Sequence, residues 1–376
     1  MKPYIFSILF LFSVTISFSQ TKELILKESY NVDENTALEI DIDNASIVFE
    51  ESNDNKIHID YFILFSEDSE KAQFKVFNGV EASSSIMNNN VKLIVKNSMY
   101  LGELYSLDFG IEAYKKHIKD IFSSIKKNQF EYKSKDSLLK EIAFSKGSYT
   151  DDYFKKLKIE SPNKNWGKPA RKFKQYFTIK VPKHVKIKLK SLHSKVDFNY
   201  DIEKPFALNS FKTHFKFKNI LAKENRIIAS NGIFQAEEIH NGRIEFLDMY
   251  KVVIGEISNV SIATETSRIQ IGEIGESVDF NDFNSKLYLY NFNRNFTKFN
   301  LTGDYSELNF YKVVENNFSM DVFGHNTVLN MNNTKASFGV NKEKELTKIL
   351  QKERKENEPF LGNIEVVLRN GILNIK

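Results

Sequence analysis

The side chains able to do chemistry are restricted in kind. The chain has 376 residues and no cysteine. That removes thiolate nucleophiles, thiolate zinc sites, iron–sulfur clusters, disulfides and a lipid-anchored cysteine together. The histidines are His58, His117, His184, His193, His214, His240 and His325. None forms an i, i+4 pair on a helix, and H-E-x-x-H is absent. A repeat would bring His193 and His214 side by side, but two imidazoles without a third ligand do not hold zinc. No G-x-S-x-G elbow, Walker-type loop or G-x-G-x-x-G occurs. Gly272-Glu-Ile-Gly275 is better explained by turn geometry. No motif implies a cofactor or a metal.

Three sets of residues remain. Asp248 and Asp282 fall in one corner column of the repeat described below, two steps apart, roughly 9.6 Å at strand spacing. Asp279 lies near Asp282. Paired acids can cleave a glycosidic bond, and a turn column also selects Asp for its hydrogen bonds to the backbone. Tyr250, Tyr288, Tyr290 and Tyr305 line an outer face. They suit either sugar stacking or plain strand propensity. The third set is basic. Residues 161–190 hold ten Lys or Arg and no acid. Lys172, Lys174 and Lys180 alternate with Phe173, Phe177, Ile179 and Val181, and Lys186, Lys188 and Lys190 alternate with Val185, Ile187 and Leu189. Stacked lysines would attract a polyanion. They equally make a solvated face that discourages edge pairing.

The elements that would position these residues come from a repeat. Leu189, Leu208, Ile228, Phe246, Ile262, Phe280, Leu301 and Val322 recur every 16 to 21 residues. Two residues on stand small or turn-forming residues: Ser191, Ser210, Ser230, Asp248, Thr264, Asp282, Gly303 and Gly324. Seven residues on stand Val196, Phe215, Gln235, Val253, Ile269, Leu287, Leu308 and Leu329. Gln235 breaks the apolar column, and a tighter corner after Asn231-Gly232 accounts for it. Val253 is expected to point into the stack. Leu38–Phe49 and Ile364–Ile375 repeat the unit with that tighter corner.

Period-two strands in such units predict an all-β fold, a parallel β-solenoid (β-helix) with about 20 residues per coil. Phe198, Phe217, Phe246 and Phe280 fall on inward positions. An evenly spaced β-sandwich is the other architecture of this pattern.

Two stretches leave the pattern. Over 99–170, Ile111, Tyr114, Ile118, Ile121, Phe122 and Ile125 take helical spacing and predict a helical insertion. A short charged helix is expected near 342–357, with Leu346, Ile349 and Leu350 on one side and Pro359 beyond its end. At the start, Met1-Lys2 precedes an apolar run from Tyr4 to Phe18, with Ser17-Phe18-Ser19 as the cleavage region. Residues 1–19 therefore read as a signal peptide, 20–98 as N-terminal strands of the solenoid, and 171–376 as its main body.

The signal segment, Leu38–Phe49, Tyr176-Phe-Thr-Ile-Lys-Val-Pro182 and Val185–Phe198 together resemble the putative-adhesin family of secreted bacterial β-solenoid proteins of the Bacteroidota type. The resemblance spans about residues 22–98 and 171–340 and the final strand. It implies export to the periplasm or cell surface of a Gram-negative bacterium. It implies a non-enzymatic role in adhesion, envelope scaffolding or ligand display, with no catalytic residues to carry over. The partners expected are an anionic envelope polysaccharide or another envelope protein, not a specific nucleic acid. A polysaccharide-active β-helix enzyme is the alternative.

Overall fold

The computed structural model describes residues 21–43, 45–65, 80–97, 174–313, 317–331, 334–338, 346–353, 355 and 362–376. The expected signal peptide, the insertion at 99–170 and Lys172 lie outside them. Among the described residues all regular structure is strand, and no helix is long and apolar enough to cross a membrane.

The first strands are β1 (Thr21–Asn31), β2 (Ala37–Asp43), β3 (Ser46–Glu51), β4 (Lys56–Phe65), β5 (Val80–Met87), β6 (Asn90–Asn97) and β7 (Lys174–Val181). Then come β8 (Lys186–Leu192), β9 (Lys195–Phe198), β10 (Phe206–Phe211), β11 (His214–Lys216), β12 (Asn219–Ile220), β13 (Asn225–Ser230), β14 (Ile233–Leu247) and β15 (Lys251–Glu265). They are followed by β16 (Arg268–Ile274), β17 (Ser277–Phe283), β18 (Lys286–Phe292), β19 (Lys298–Asp304), β20 (Glu307–Phe310) and β21 (Ser319–His325). The last are β22 (Thr327–Met331), β23 (Thr334–Phe338), β24 (Thr347–Lys352), β25 (Asn363–Arg369) and β26 (Ile372–Ile375).

These strands pair into one large sheet folded as two main ladders. The first runs β6, β2, β8, β10, β13, the end of β14, the end of β15, β17, β19, β25 and β21, all parallel. The second runs β7, β3, β9, β11, the starts of β14 and β15, β16, β18, β20, β26 and β22, again parallel. Antiparallel partners sit only at the ends: β5 on β6, β24 on β21, β4 and β1 beyond β7, and β23 on β22. Such partners cover edges that would otherwise present unpaired backbone groups.

Alternation places every second side chain inside. One inward column of the first ladder is Ile40, Leu189, Leu208, Ile227, Ile244, Ile262, Phe280, Leu301, Val366 and Val322, all buried. In the second ladder Phe49, Phe198 and Phe217 stack on successive rungs, with ring centroids 4.1 and 4.8 Å apart. Each such side chain contributes roughly 1.5–3 kcal/mol by leaving water. Phe198, Phe217, Phe246 and Phe280 are buried as their positions predict.

The two ladders join at a corner with one conformation. Four residues after each inward reference residue from Leu189 onward the backbone turns left-handed: His193, Lys212, Asn231, Asp248, Thr266, Asn284, Tyr305, Asn370 and Asn326 all have φ between 47° and 56°. Each stacks on the next. The amide of His193 donates to the Phe211 carbonyl at 3.0 Å, that of Asp248 to Glu265 at 2.9 Å, and that of Tyr305 to Arg369 at 3.0 Å. The next residue is usually a buried Ser or Thr whose hydroxyl donates back across the corner, as Ser194 does to the Leu192 carbonyl at 2.8 Å and Ser267 to that of Glu265 at 2.8 Å. A small hydroxylated residue thereby satisfies a carbonyl that the bend leaves without a ladder partner.

Several expectations need correction. The third and fourth reference residues are Ile227 and Ile244, not Ile228 and Phe246. With Ile227 in place the ordinary corner carries the chain to Phe234, so no tighter corner is needed. The terminal units close the same way, with Ile40 leading to Ile47 and Val366 to Leu373. In the next coil one extra residue, Tyr250, lengthens the corner. Val252 is therefore the buried residue, and Val253 is half-buried on the outer side.

Val322 does not stack on Leu301. The C-terminal strands β25 and β26 slot between, so Leu301 meets Val366 and Val366 meets Val322. Finally, the helix expected near 342–357 is replaced, where residues are described, by β24. It pairs antiparallel with β21 and turns Ile349 inward. Three apolar residues are too short a sample to separate the two periods, and the open edge of β21 selects a strand.

Candidate binding surface

Lys180, Lys186, Lys188 and Lys190 are exposed, as their alternation predicts, but they divide between the two ladders, Lys180 on β7 of the second and the other three on β8 of the first. Lys174 lies on the same strand as Lys180, β7. The N-terminal strands set acids directly across from three of them. Lys188 Nζ donates to Glu39 Oε1 at 2.8 Å and Lys190 Nζ to Asp41 Oδ2 at 3.2 Å, and Lys180 Nζ stands 3.6 Å from Glu50 Oε2. The hydrogen bonds from Lys188 and Asn90 hold the Glu39 carboxyl below its usual range, against a smaller opposing effect of burial. The basic run in sequence is thus interleaved with carboxylates from β2 and β3.

The corner residues separate. His193 occupies the left-handed column, with Nδ1 3.9 Å from Asp43 Oδ1, whereas His214 stands on the outward column in register with Lys195. No group of three or more metal-ligating side chains is assembled among the described residues. Asp248 and Asp282 do not share a column either. Asp248 is exposed in the left-handed position, level with Asn284. Asp282 is buried one column inside, level with Thr264. Asp282 accepts hydrogen bonds from the Thr264 hydroxyl, from the Ser306 hydroxyl at 2.5 Å and from the Ser285 amide at 3.2 Å. Its oxygens are committed to tying three coils together, and the carboxylate pair needed for glycoside cleavage is not formed.

Two features escaped the sequence reading. Along the bend of the second ladder Asn219, Glu238, Glu256, Glu273 and Asn291 stand in register. Burial, followed by the charge of Glu238, pushes the Glu256 carboxyl up; Asn293 opposes this by donating to Glu256 Oε1 at 2.7 Å. The acids are spread over three coils, so only parallel pairing reveals them as one column.

The other feature is an open groove of about 470 Å³ along the corner. One wall is the left-handed column Thr266, Asn284, Tyr305 and Asn370, and the other is Arg268, Lys286, Glu307 and Ile372 on successive rungs. Buried Ser267, Ser285 and Ser306 form the floor. Lys286 Nζ meets Glu307 Oε2 at 2.7 Å, and the Arg268 guanidinium lies 5.4 Å from the centre of the Tyr288 ring. Tyr305 and Tyr250, both expected on an outer face, are 59% and 65% exposed.

No family model and no curated protein matches the chain. Two solved structures are similar to it over most of their length. One is a "putative cell adhesion protein" from Clostridium sporogenes, with 8% identity, a TM-score of 0.18, and coverage of 95% of this chain and 99% of that one. Another is a "putative adhesin" from Bacteroides fragilis, with 8% identity, a TM-score of 0.32, and coverage of 95% and 97%.

Proposed function

We propose that the chain is an exported parallel β-solenoid that acts without catalysis, in adhesion, envelope scaffolding or ligand display. One observation carries this reading. Inward columns run through the whole stack, and the alternate residues form outward columns at strand spacing, about 4.8 Å per rung. Such a body presents long ladders of repeated side chains, which suit an extended or repeating partner.

Lys180, Lys186, Lys188 and Lys190, with Lys172 and Lys174 beside them in sequence, are the proposed contact for an anionic envelope polysaccharide. Another envelope protein would use the same exposed ladders. Sedimentation of the purified mature chain with isolated bacterial envelopes tests the role, and protease treatment of intact cells tells surface from periplasm. Saturable binding is expected. A chain that stays in the supernatant with every envelope fraction would overturn the reading.

A further inference from the structure

We infer that the corner groove between Thr266 and Ile372 is a binding site for a neutral oligosaccharide lying along the stack. The inference deepens the ligand-display reading and rests on it. Its first support is the placement of exposed rings. Tyr305 stands in the groove wall, and Phe283, 47% exposed, packs edge-on against it at 5.9 Å. Tyr250 projects from the corner that, among the described residues, carries an extra residue, next to Met249 at the groove's end. Of these rings Tyr305 alone lines the groove, and exposed aromatic surface at a concavity marks contact with a ligand.

The second support is backbone geometry. Tyr305 and Thr266 hold φ of 56° and 47°. This region disfavours bulky and β-branched residues, whereas Asn tolerates it. Asn fills the same position on both rungs flanking Tyr305, at Asn284 and Asn370. A Tyr kept where its neighbours use Asn points to a use for the ring itself.

The third support is the polar chemistry of the walls. Asn284 and Thr266 are exposed and both donate and accept, Arg268 and Lys286 donate, and Glu307 accepts. Lys286 and Glu307 neutralise each other and the Arg268 guanidinium lies over the Tyr288 ring, so one net positive charge remains among groups that otherwise suit hydroxyls. The two wall positions recur on each rung with different side chains, which gives an extended ligand evenly spaced contacts.

The test is binding of the full mature chain to immobilised chitin and β-glucan oligomers, with polygalacturonate as the acidic comparison. Tyr305→Asn is expected to weaken binding of a neutral oligomer at least tenfold while the thermal midpoint stays the same or rises. Tyr290→Ala, at a ring stacked on Tyr311 away from the groove, is expected to leave binding unchanged. Wild-type affinity in Tyr305→Asn would overturn the site, as would equal loss in Tyr290→Ala or binding of polygalacturonate alone. Envelope binding without any neutral glycan would also overturn the groove and leave the display role standing. Failure to bind envelopes at all would remove the display role itself.

Discussion

Lys188 Nζ donates a hydrogen bond to Glu39 Oε1 at 2.8 Å, joining residues 149 apart in sequence on adjacent parallel strands. The pair is solvent-exposed, so it contributes about 0–1 kcal/mol to stability. Its larger effect is on the field of the basic face. Glu39→Gln with Asp41→Asn removes two negative charges beside Lys188 and Lys190. Binding to a polyanion such as lipopolysaccharide is expected to tighten, and its salt dependence to steepen. Unchanged affinity and slope, measured by titration at two ionic strengths, would remove these lysines from the contact surface.

The buried column at the first turn of β15 gives a direct test of register. Val252→Asp places an unpaired charge in the apolar stack and is expected to cost several kcal/mol. Val253→Asp, one residue on, faces outward and is expected to cost about 1 kcal/mol or less. Urea unfolding of both variants distinguishes them, and equal losses would contradict the register.

Asp282 is structural. Replacing it with Ala strands the hydroxyls of Thr264 and Ser306 and the amide of Ser285 in a buried corner. The expected loss is on the order of 3 kcal/mol. A near-native denaturation midpoint would show that water or a shifted neighbour satisfies these donors.

Glu256 provides a pH signature. Its carboxyl is held above the ordinary value by burial and then by Glu238, with Glu273 adding to the effect. The folded state therefore keeps the proton to higher pH than the unfolded chain. Its contribution to stability is present below the unfolded carboxylate range and falls as pH rises through the folded one. Glu256→Gln is expected to raise stability at neutral pH by about 0.2–1 kcal/mol, the scale of a like-charge contact between strands. The gain should vanish in acid. Thermal melts from pH 4 to 8 check the sign, and a destabilised variant at neutral pH would show that the Asn293 contact outweighs the repulsion.

Much of the local structure was legible in the sequence. Alternation such as Lys186-Ile-Lys-Leu-Lys190 names both the strand and the side that each residue faces, because inward and outward positions meet different solvents. Tyr305 of the groove and Tyr250 near its end were legible as outward residues for the same reason. The nearest neighbours of each rung were not. Ile227 and Ile228 are both apolar, as are Val252 and Val253, and one extra residue at Tyr250 shifts the start of β15 by one position. Only pairing between coils chooses between such candidates.

The sequence by itself thus determined most of the strands, β24 excepted, and which of their side chains could be buried. The tertiary structure alone decided the order of the coils. Every coil carries the same alternating pattern, so nothing local prevents β25 from stacking on β21 or β19, or prevents Glu39 from meeting Lys188. It also decided the groove, since Thr266, Tyr305 and Ile372 come from three coils. Parallel pairing brings them together through backbone hydrogen bonds, which carry no mark in the residues that make them.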